Sequence, residues 1–438
     1  MLPKMKLPWG RASEAREATP GEETGKTRSG RAGFSAYMKW FGPAVMAAVA
    51  YIDPGNFGTD IQSGARYGYV LLWAVLLANL MGMLLQYLSG KLGLATGRSL
   101  AELVRESLGS RWKIIPYWLA SEVFAVFTDL AEFLGVTSAV YLLSNGAIPL
   151  LVAAWISAFD VVVIFALAGK KFRRIELTIV TFVTGIGIGY IYEVFLANPN
   201  FASVGAGIVI PTIAGSSQLF LVVSIIGATV MPHALVLHSS LTKAKAEGMG
   251  TEQRRELLRL HRWDTIGNLT GAGLINMAIL IVAAAVFFTH GLKVATVNDA
   301  YRTLAPLFGV AASVVFALTL LFSGWSSSIV GVLAGQSILE GLLGSKMSPW
   351  FRRIVIRVIN VVPASIAISL GYDPLLLLVY SQVVLSLLIP LPLIPLIYYT
   401  SHRKFMGEFV NRRSITALAV VVAATIVGLN AVLLVSSV

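Results

Sequence analysis

The 438-residue chain contains no cysteine. Disulfides, thiolate metal cages and a cysteine nucleophile are therefore excluded. Charge is scarce too: Asp, Glu, Lys and Arg make up 13% of the residues, against about 25% in ordinary soluble domains. A water-soluble chain of this length could not cover its surface with so few charged groups. A cytosolic enzyme and a nucleic-acid binder are both excluded on that ground, despite a net charge of +12. The chain also lacks a nucleotide-binding glycine loop and a zinc-protease motif. No polar stretch is large enough to house a catalytic centre, so the chain reads as a non-enzyme without a prosthetic group.

What is present is hydrophobic sequence, 56% of the chain, with a mean hydropathy of +0.76. A helix that crosses a bilayer needs about 20 mostly apolar residues. Eleven such stretches can be read, with cores at 42–66, 69–90, 115–143, 147–168, 175–196, 218–241, 263–289, 304–338, 353–371, 375–399 and 415–436. Residues 1–40 are polar and charged and read as a flexible cytoplasmic tail, with no apolar run that would make a cleavable leader. Residues 41–400 then form a ten-helix core, and 401–438 a cytoplasmic loop followed by an eleventh helix.

The basic residues orient these spans. With the N-terminus inside, the tail and every second loop collect nearly all of the 34 Lys and Arg; only Arg66, Lys293 and Arg302 fall on the other side. One miscounted span would destroy that asymmetry. The expected protein is all-α, multi-pass and in the cell membrane, with its N-terminus cytoplasmic and its C-terminus outside. The net charge is then a topology signal, aided by anionic lipid on the cytoplasmic leaflet.

Two spans are interrupted. The first reads Ala50-Tyr51-Ile52-Asp53-Pro54-Gly55-Asn56. Proline removes a helix donor, glycine loosens the backbone, and Asp and Asn at membrane depth need a cavity or a partner. A simple kink requires proline alone, so this run predicts unwinding. The sixth span carries Gly227-Ala228-Thr229-Val230-Met231-Pro232-His233, with His238 downstream. Breaks in spans one and six fit a five-plus-five inverted repeat with discontinuous helices 1 and 6. Such breaks in matching places of two halves mark a transporter's central site.

The breaks offer a carboxylate (Asp53), an amide oxygen (Asn56), a thioether (Met231) and the freed carbonyls of Ala50 and Ala228. One formal charge would also suit Na⁺. The thioether argues against hard Ca²⁺ and Mg²⁺ and for Mn²⁺, Fe²⁺, Co²⁺ or Cd²⁺. Without a thiolate or a histidine cluster, a tight zinc cage is not expected.

The Asp53-Pro54-Gly55-Asn56 run with Met231-Pro232-His233 resembles the natural resistance-associated macrophage protein (Nramp) family of divalent metal–proton symporters. So do the Thr128–Gly135 stretch and the Arg352-Arg353 pair, and the likeness covers essentially everything after about residue 40. The resemblance implies the leucine-transporter-like fold, with Mn²⁺ or Fe²⁺ as substrate rather than cofactor. It places metal ligation on Asp53, Asn56, Met231 and the carbonyls of Ala50 and Ala228, and adds Gln382 in an occluded state. It also makes Asp53 a proton acceptor, with an exit past Asp129, Glu132 and the arginine pair.

Read from the residues themselves, Glu122, Asp129 and Glu132 share one face of the third span. They form either a proton relay or ion pairs that hold the bundle, with Arg352 and Arg353 as partners. His233 stands two residues beyond Met231 and could pass a proton when metal arrives. His238 faces nearly the opposite way. Asp160 and Asn79 read as buried hydrogen-bond partners. Gly331 with Gly335, and Gly185, Gly187 and Gly189, read as small-residue packing positions.

The expected function is secondary active import of a divalent transition metal with protons, by alternating access. The expected partners are metal, protons and the lipid bilayer, for a monomeric chain with no nucleic acid. A sodium-coupled amino-acid or amine transporter of the same fold and a metal-gated channel or sensor are the alternatives.

Overall fold

The structure is a computed structural model and describes residues 43–160, 172–291, 299, 310–345 and 347–436. The expected tail (1–40), the later part of span 4 with Lys170 and Lys171, and the start of span 8 lie outside the described residues. So do Lys293, Arg302 and Lys346.

Among the described residues the fold is helical, with no strand. Span 1 is α1 (Pro43–Ala50) and α2 (Pro54–Tyr67); span 2 is α3 (Leu72–Thr96). A short helix α4 (Leu100–Leu108) leads to span 3, α5 (Arg111–Leu143). Span 4 begins at α6 (Leu150–Ser157), and span 5 is α7 (Phe172–Ala197), followed by α8 (Phe201–Val209). Span 6 is α9 (Ser216–Thr229) and α10 (Pro232–Lys245). Spans 7 and 8 are α11 (Thr251–Ala283) and α12 (Val310–Leu343), and span 9 is α13 (Pro349–Ser369). Span 10 is α14 (Pro374–Leu388) with α15 (Pro390–Ser401), and span 11 is α16 (Arg413–Ser436). Among the described residues, eight continuous helical segments are long and apolar enough to cross a membrane, one of them, Pro54–Thr96, carrying most of spans 1 and 2 together. Ile354–Ser369 in span 9 is a shorter apolar helix.

Two boundaries differ from the hydropathy reading. Span 7 begins at Thr251, twelve residues before the apolar core at 263, because a charged helical turn can project into water without ending the helix. Span 10 bends at Ile389-Pro390, where proline opens a new helical run. That third irregularity was hidden because the surrounding sequence stays apolar.

Burial ranks the spans. The most apolar stretch of span 6 is 94% buried, whereas those of spans 5 and 11 are 28% buried. Span 6 therefore runs through the centre, and spans 5 and 11 face lipid. Both halves of span 1 are buried as well: every residue of α1, and α2 from Pro54 to Ala65. The two interrupted spans thus form the core of the bundle.

The connecting helix α4 is tied to this centre. Ser99 and Glu102 close a capping box at its start. Lys243, at the end of α10, donates to Glu102 Oε1 at 2.6 Å. Partial burial works to raise the Glu102 pKa, but the Lys243 and Ser99 hydrogen bonds outweigh it and hold the carboxyl below its ordinary range.

Candidate metal site and the polar column beside it

Each break places a proline at the first position of the resumed helix: Pro54 after the N-cap Asp53, and Pro232 after the N-cap Met231. In an intact helix those two residues would donate to the carbonyls four positions back. Proline has no N–H, so the carbonyls left over are those of Ala50 and Ala228. One local rule, applied twice, releases a pair of main-chain oxygens from helix hydrogen bonding.

The side chains collect around them. Asp53 Oδ1 accepts from the Asn56 backbone N–H at 2.9 Å and from Asn56 Nδ2 at 2.7 Å. Asn56 Nδ2 also donates to the Ala228 carbonyl at 3.0 Å. On its other side, Asn56 Oδ1 accepts from the Thr229 hydroxyl at 3.1 Å. Asn56 is therefore the bridge between the two breaks. Met231 is buried in the same apolar cluster as Ala50, Tyr51 and Ile52.

Gln382, on α14, closes the group from span 10. A methyl at Gly55 would lie 2.3 Å from Gln382 Nε2 and 2.8 Å from Asp53 Oδ2, and one at Gly227 would lie 1.9 Å from the Gln382 carbonyl oxygen. Only glycine at both positions lets span 10 approach both breaks this closely. Gln382 Nε2 donates to Ser381 Oγ at 2.9 Å, while its Oε1 is buried with no hydrogen-bond partner. An unpaired buried carbonyl oxygen beside a carboxylate is a costly arrangement without a cation. Asp53, Asn56, Met231 and Gln382 are each at most 2% exposed, so the group is closed to both sides. Among the described residues no three His, Asp or Glu side chains cluster as a metal centre; the donors here are mixed.

The remaining freed carbonyls of span 1 are held from outside. Asn276 Nδ2 (α11) donates to the Tyr51 carbonyl at 2.8 Å, and Ser323 Oγ (α12) to the Ile52 carbonyl at 2.7 Å. Ser327 Oγ adds a longer contact, at 3.4 Å, to the Val49 carbonyl, which already accepts the Ile52 N–H at 3.0 Å. Span 3 supports the same turn: a methyl at Gly135 would lie 2.3 Å from Pro54 Cγ.

His233 connects this site to span 3. Its Nδ1 lies 3.1 Å from Thr128 Oγ1. The Thr128 hydroxyl already donates to the Phe124 carbonyl at 2.8 Å, so it accepts from histidine, which puts the proton on Nδ1. Next to Thr128, Asp129 Oδ2 accepts from Asn360 Nδ2 at 2.8 Å, and its Oδ1 lies 3.7 Å from Arg357. Arg357 Nη2 also donates to both oxygens of Asp160, at 2.8 and 3.0 Å. Further along, Arg352 donates to Glu122 Oε2 at 2.5 Å, while Trp118 Nε1 holds Glu122 Oε1 at 2.9 Å. Glu132 is fully buried.

The sequence had placed the arginine pair Arg352-Arg353 against these acids. Arg352 does face Glu122, but the arginine at Asp129 is Arg357, one turn further into span 9. The Arg353 side chain lies outside the described set. Asp160, expected to be a simple hydrogen-bond partner, is half of a buried ion pair. Arg357 was legible in principle: an arginine inside the apolar run Ile354–Ser369 requires an acid. The glycines of span 8 also differ from the packing role expected of them. A methyl at Gly331 would lie 2.6 Å from Glu132 Oε1, and one at Gly335 1.6 Å from Arg352 Nη1. They form a notch for two charged groups, not a seat for a neighbouring backbone. His238 bonds Gln86 Oε1 through Nδ1 at 2.9 Å, away from the breaks.

A many-span helical bundle built around two proline-interrupted helices defines a secondary transporter of the inverted-repeat class. The fold is shared by MhsT, crystallised with L-phenylalanine, which superposes with a TM-score of 0.59 at 13% identity, over 94% of this chain and 99% of its own. The family description "Natural resistance-associated macrophage protein-like" matches residues 44–436, and the chain belongs to this Nramp family. A Deinococcus radiodurans protein named divalent metal cation transporter MntH is 46% identical over 93% of this chain and 92% of its own length. A Chromohalobacter salexigens protein of the same name is 43% identical over 95% of each. The crystal structure of an Eremococcus coleocola manganese transporter aligns with a TM-score of 0.83 at 29% identity, covering 94% of this chain and 88% of that one.

Proposed function

We propose that the chain imports a divalent transition metal, Mn²⁺ foremost and Fe²⁺, Co²⁺ or Cd²⁺ with it, together with protons and by alternating access. The observation that carries this reading is the pair of proline-freed carbonyls, Ala50 and Ala228, joined through Asn56 to Asp53 and flanked by Met231 and Gln382. Asn56 holds its NH₂ between Asp53 Oδ1 and the Ala228 carbonyl, two of the proposed ligands. A cation takes the place of that NH₂. The amide then turns, offering Oδ1 to the metal and Nδ2 to the Thr229 hydroxyl, which can accept as well as donate. Gln382 Oε1 completes the shell when span 10 is closed against Gly55 and Gly227.

The Met231 thioether sets the preference for borderline ions over Ca²⁺ and Mg²⁺. Cation arrival at Asp53 repels a proton from it. His233 and Thr128 stand next in line, and Asp129, Glu132 and Glu122 continue toward the basic end of span 9 with Arg352, Arg353 and Arg357. The protein works as a monomer in the cell membrane with the N-terminus inside and the C-terminus outside. Residues 1–40 are then a cytoplasmic tail, 41–400 the transporting core and 401–438 a loop with an added helix.

The test is ⁵⁴Mn²⁺ uptake by reconstituted protein, with a competition series and an internal pH dye. Saturable uptake accompanied by acidification supports the reading. Uptake of an amino acid with Na⁺ in place of Mn²⁺ overturns it.

A further inference from the structure

A second set of buried acids lies apart from the column just described. Spans 1 and 5 run in the same sense, and their ends meet at one membrane face: a methyl at Gly207 of α8 would lie 2.1 Å from the Tyr69 carbonyl that follows α2. Within the bilayer the two helices touch at Phe57 and Tyr190, whose rings stand edge to face at 5.5 Å. One turn nearer that face on each helix stand Asp60 and Glu193. Asp60 is 0% and Glu193 3% exposed, and neither oxygen of either carboxyl has a hydrogen-bond partner. The Tyr190 hydroxyl is equally buried, with the Thr319 hydroxyl beside it, and it lies within electrostatic reach of both acids. The Thr319 hydroxyl donates to the Phe316 carbonyl at 2.8 Å, so toward Tyr190 it can only accept.

Among the described residues no cation is recorded beside either acid. Facing Asp60 are Asp53, two turns away on its own span, and Tyr190 from α7. At the glycines on either side of Asp60, α11 and α14 bring uncharged atoms, the Leu280 carbonyl and Ala283 at Gly64, and Leu375 and Leu378 at Gly58. Those packed on α7 present Thr319 and Val315 at Gly189, and Ile275 at Gly187. A dry carboxylate with neither partner nor countercharge is not stable as an anion, so in this closed arrangement each acid carries a proton. Too few oxygens converge here to cage a metal ion.

We propose that Glu193, Tyr190 and Asp60 form the entry relay for the transported proton, opposite in membrane position to the exit column on span 3. Opening of this side lets external water reach the three groups. Asp60, having passed its proton inward, is reloaded there: Glu193 gives its proton to the Tyr190 oxygen while the phenol O–H passes its own to the Asp60 carboxylate, and Glu193 takes a replacement from external water. The phenol is left unchanged, and both acids are neutral before the side closes and dries. This inference rests on the proton-coupled reading above.

The experiment uses the full chain in proteoliposomes, comparing wild type with Asp60→Asn, Glu193→Gln and Tyr190→Phe. Initial Mn²⁺ uptake and internal acidification are recorded together at external values from about pH 5 to about pH 8, and Mn²⁺ binding serves as the folding control. The expected result is a fall of about tenfold or more in Mn²⁺-dependent proton entry per metal ion for each acid variant, with a flattened dependence on external pH, and a smaller fall for Tyr190→Phe. A wild-type proton-to-metal ratio and pH profile in both acid variants overturns the relay. An acid variant that binds no Mn²⁺ is set aside for the other, whose ratio decides. Wild type that takes up Mn²⁺ without acidification overturns the coupling on which the relay rests. Wild type that takes up no Mn²⁺ overturns the transport reading itself.

Discussion

The breaks in spans 1 and 6 have the same origin and opposite character. Each begins with a proline that frees the carbonyl four residues back. The span 1 break is polar and heavily tied: Asp53 and Asn56 bond each other, and Asn276 and Ser323 hold its loose carbonyls from spans 7 and 8. The span 6 break supplies a thioether and a carbonyl, and the site-facing bonds it makes run through Asn56. One break fixes charge and position; the other is the adaptable wall. Unpaired backbone at membrane depth is tolerated only where something satisfies it. In span 1 that is protein side chains, and in span 6 it is the neighbouring break.

The comparison predicts unequal consequences for damage to each side. Asn56→Ala removes the bridge and should lower Mn²⁺ affinity by more than the about 10–100-fold typical of groups that only support a ligand; calorimetric titration with Mn²⁺ measures it. Met231→Ala, on the adaptable side, should leave the carboxylate in place and narrow the preference for Mn²⁺ over Ca²⁺ by about tenfold, as a soft donor is lost; competition uptake reads that ratio. Ser323→Ala should strip the Ile52 carbonyl of its partner, at about 1–3 kcal/mol of stability. In detergent its thermal midpoint should fall further than that of Ser224→Ala, whose hydroxyl only bonds its own helix. The weakest effect lies outside the membrane. Because the folded Glu102 carboxyl titrates below its ordinary range, its contribution is present above that range and is lost as pH falls through the depressed value. Glu102→Gln should lose a few tenths to about 1 kcal/mol at neutral pH and nothing in strong acid; a thermal series against pH shows whether the difference closes.

Much of the fold was readable from hydropathy, because a bilayer imposes a single length rule on every span. The breaks were readable because Asp, Pro, Gly and Asn have no business together inside an apolar run. What stayed hidden depends on contacts far apart in sequence. Asn276 and Ser323 are ordinary small polar residues until they meet the carbonyls of residues 51 and 52. Gly55 and Gly227 look like helix looseners, yet each makes room for Gln382. Arg357 was counted only as a cytoplasmic charge, because its partners Asp129 and Asp160 lie on two other spans. The notch at Gly331 and Gly335 likewise exists only once span 9 has packed on span 8.

The central claim is that the two proline breaks build one cation site around Asp53. Initial ⁵⁴Mn²⁺ uptake into proteoliposomes, wild type beside Asp53→Ala at matched protein content, tests it most directly. The account predicts saturable, pH-dependent uptake for the wild type and none above empty liposomes for the variant. Uptake by Asp53→Ala at the wild-type rate would contradict it.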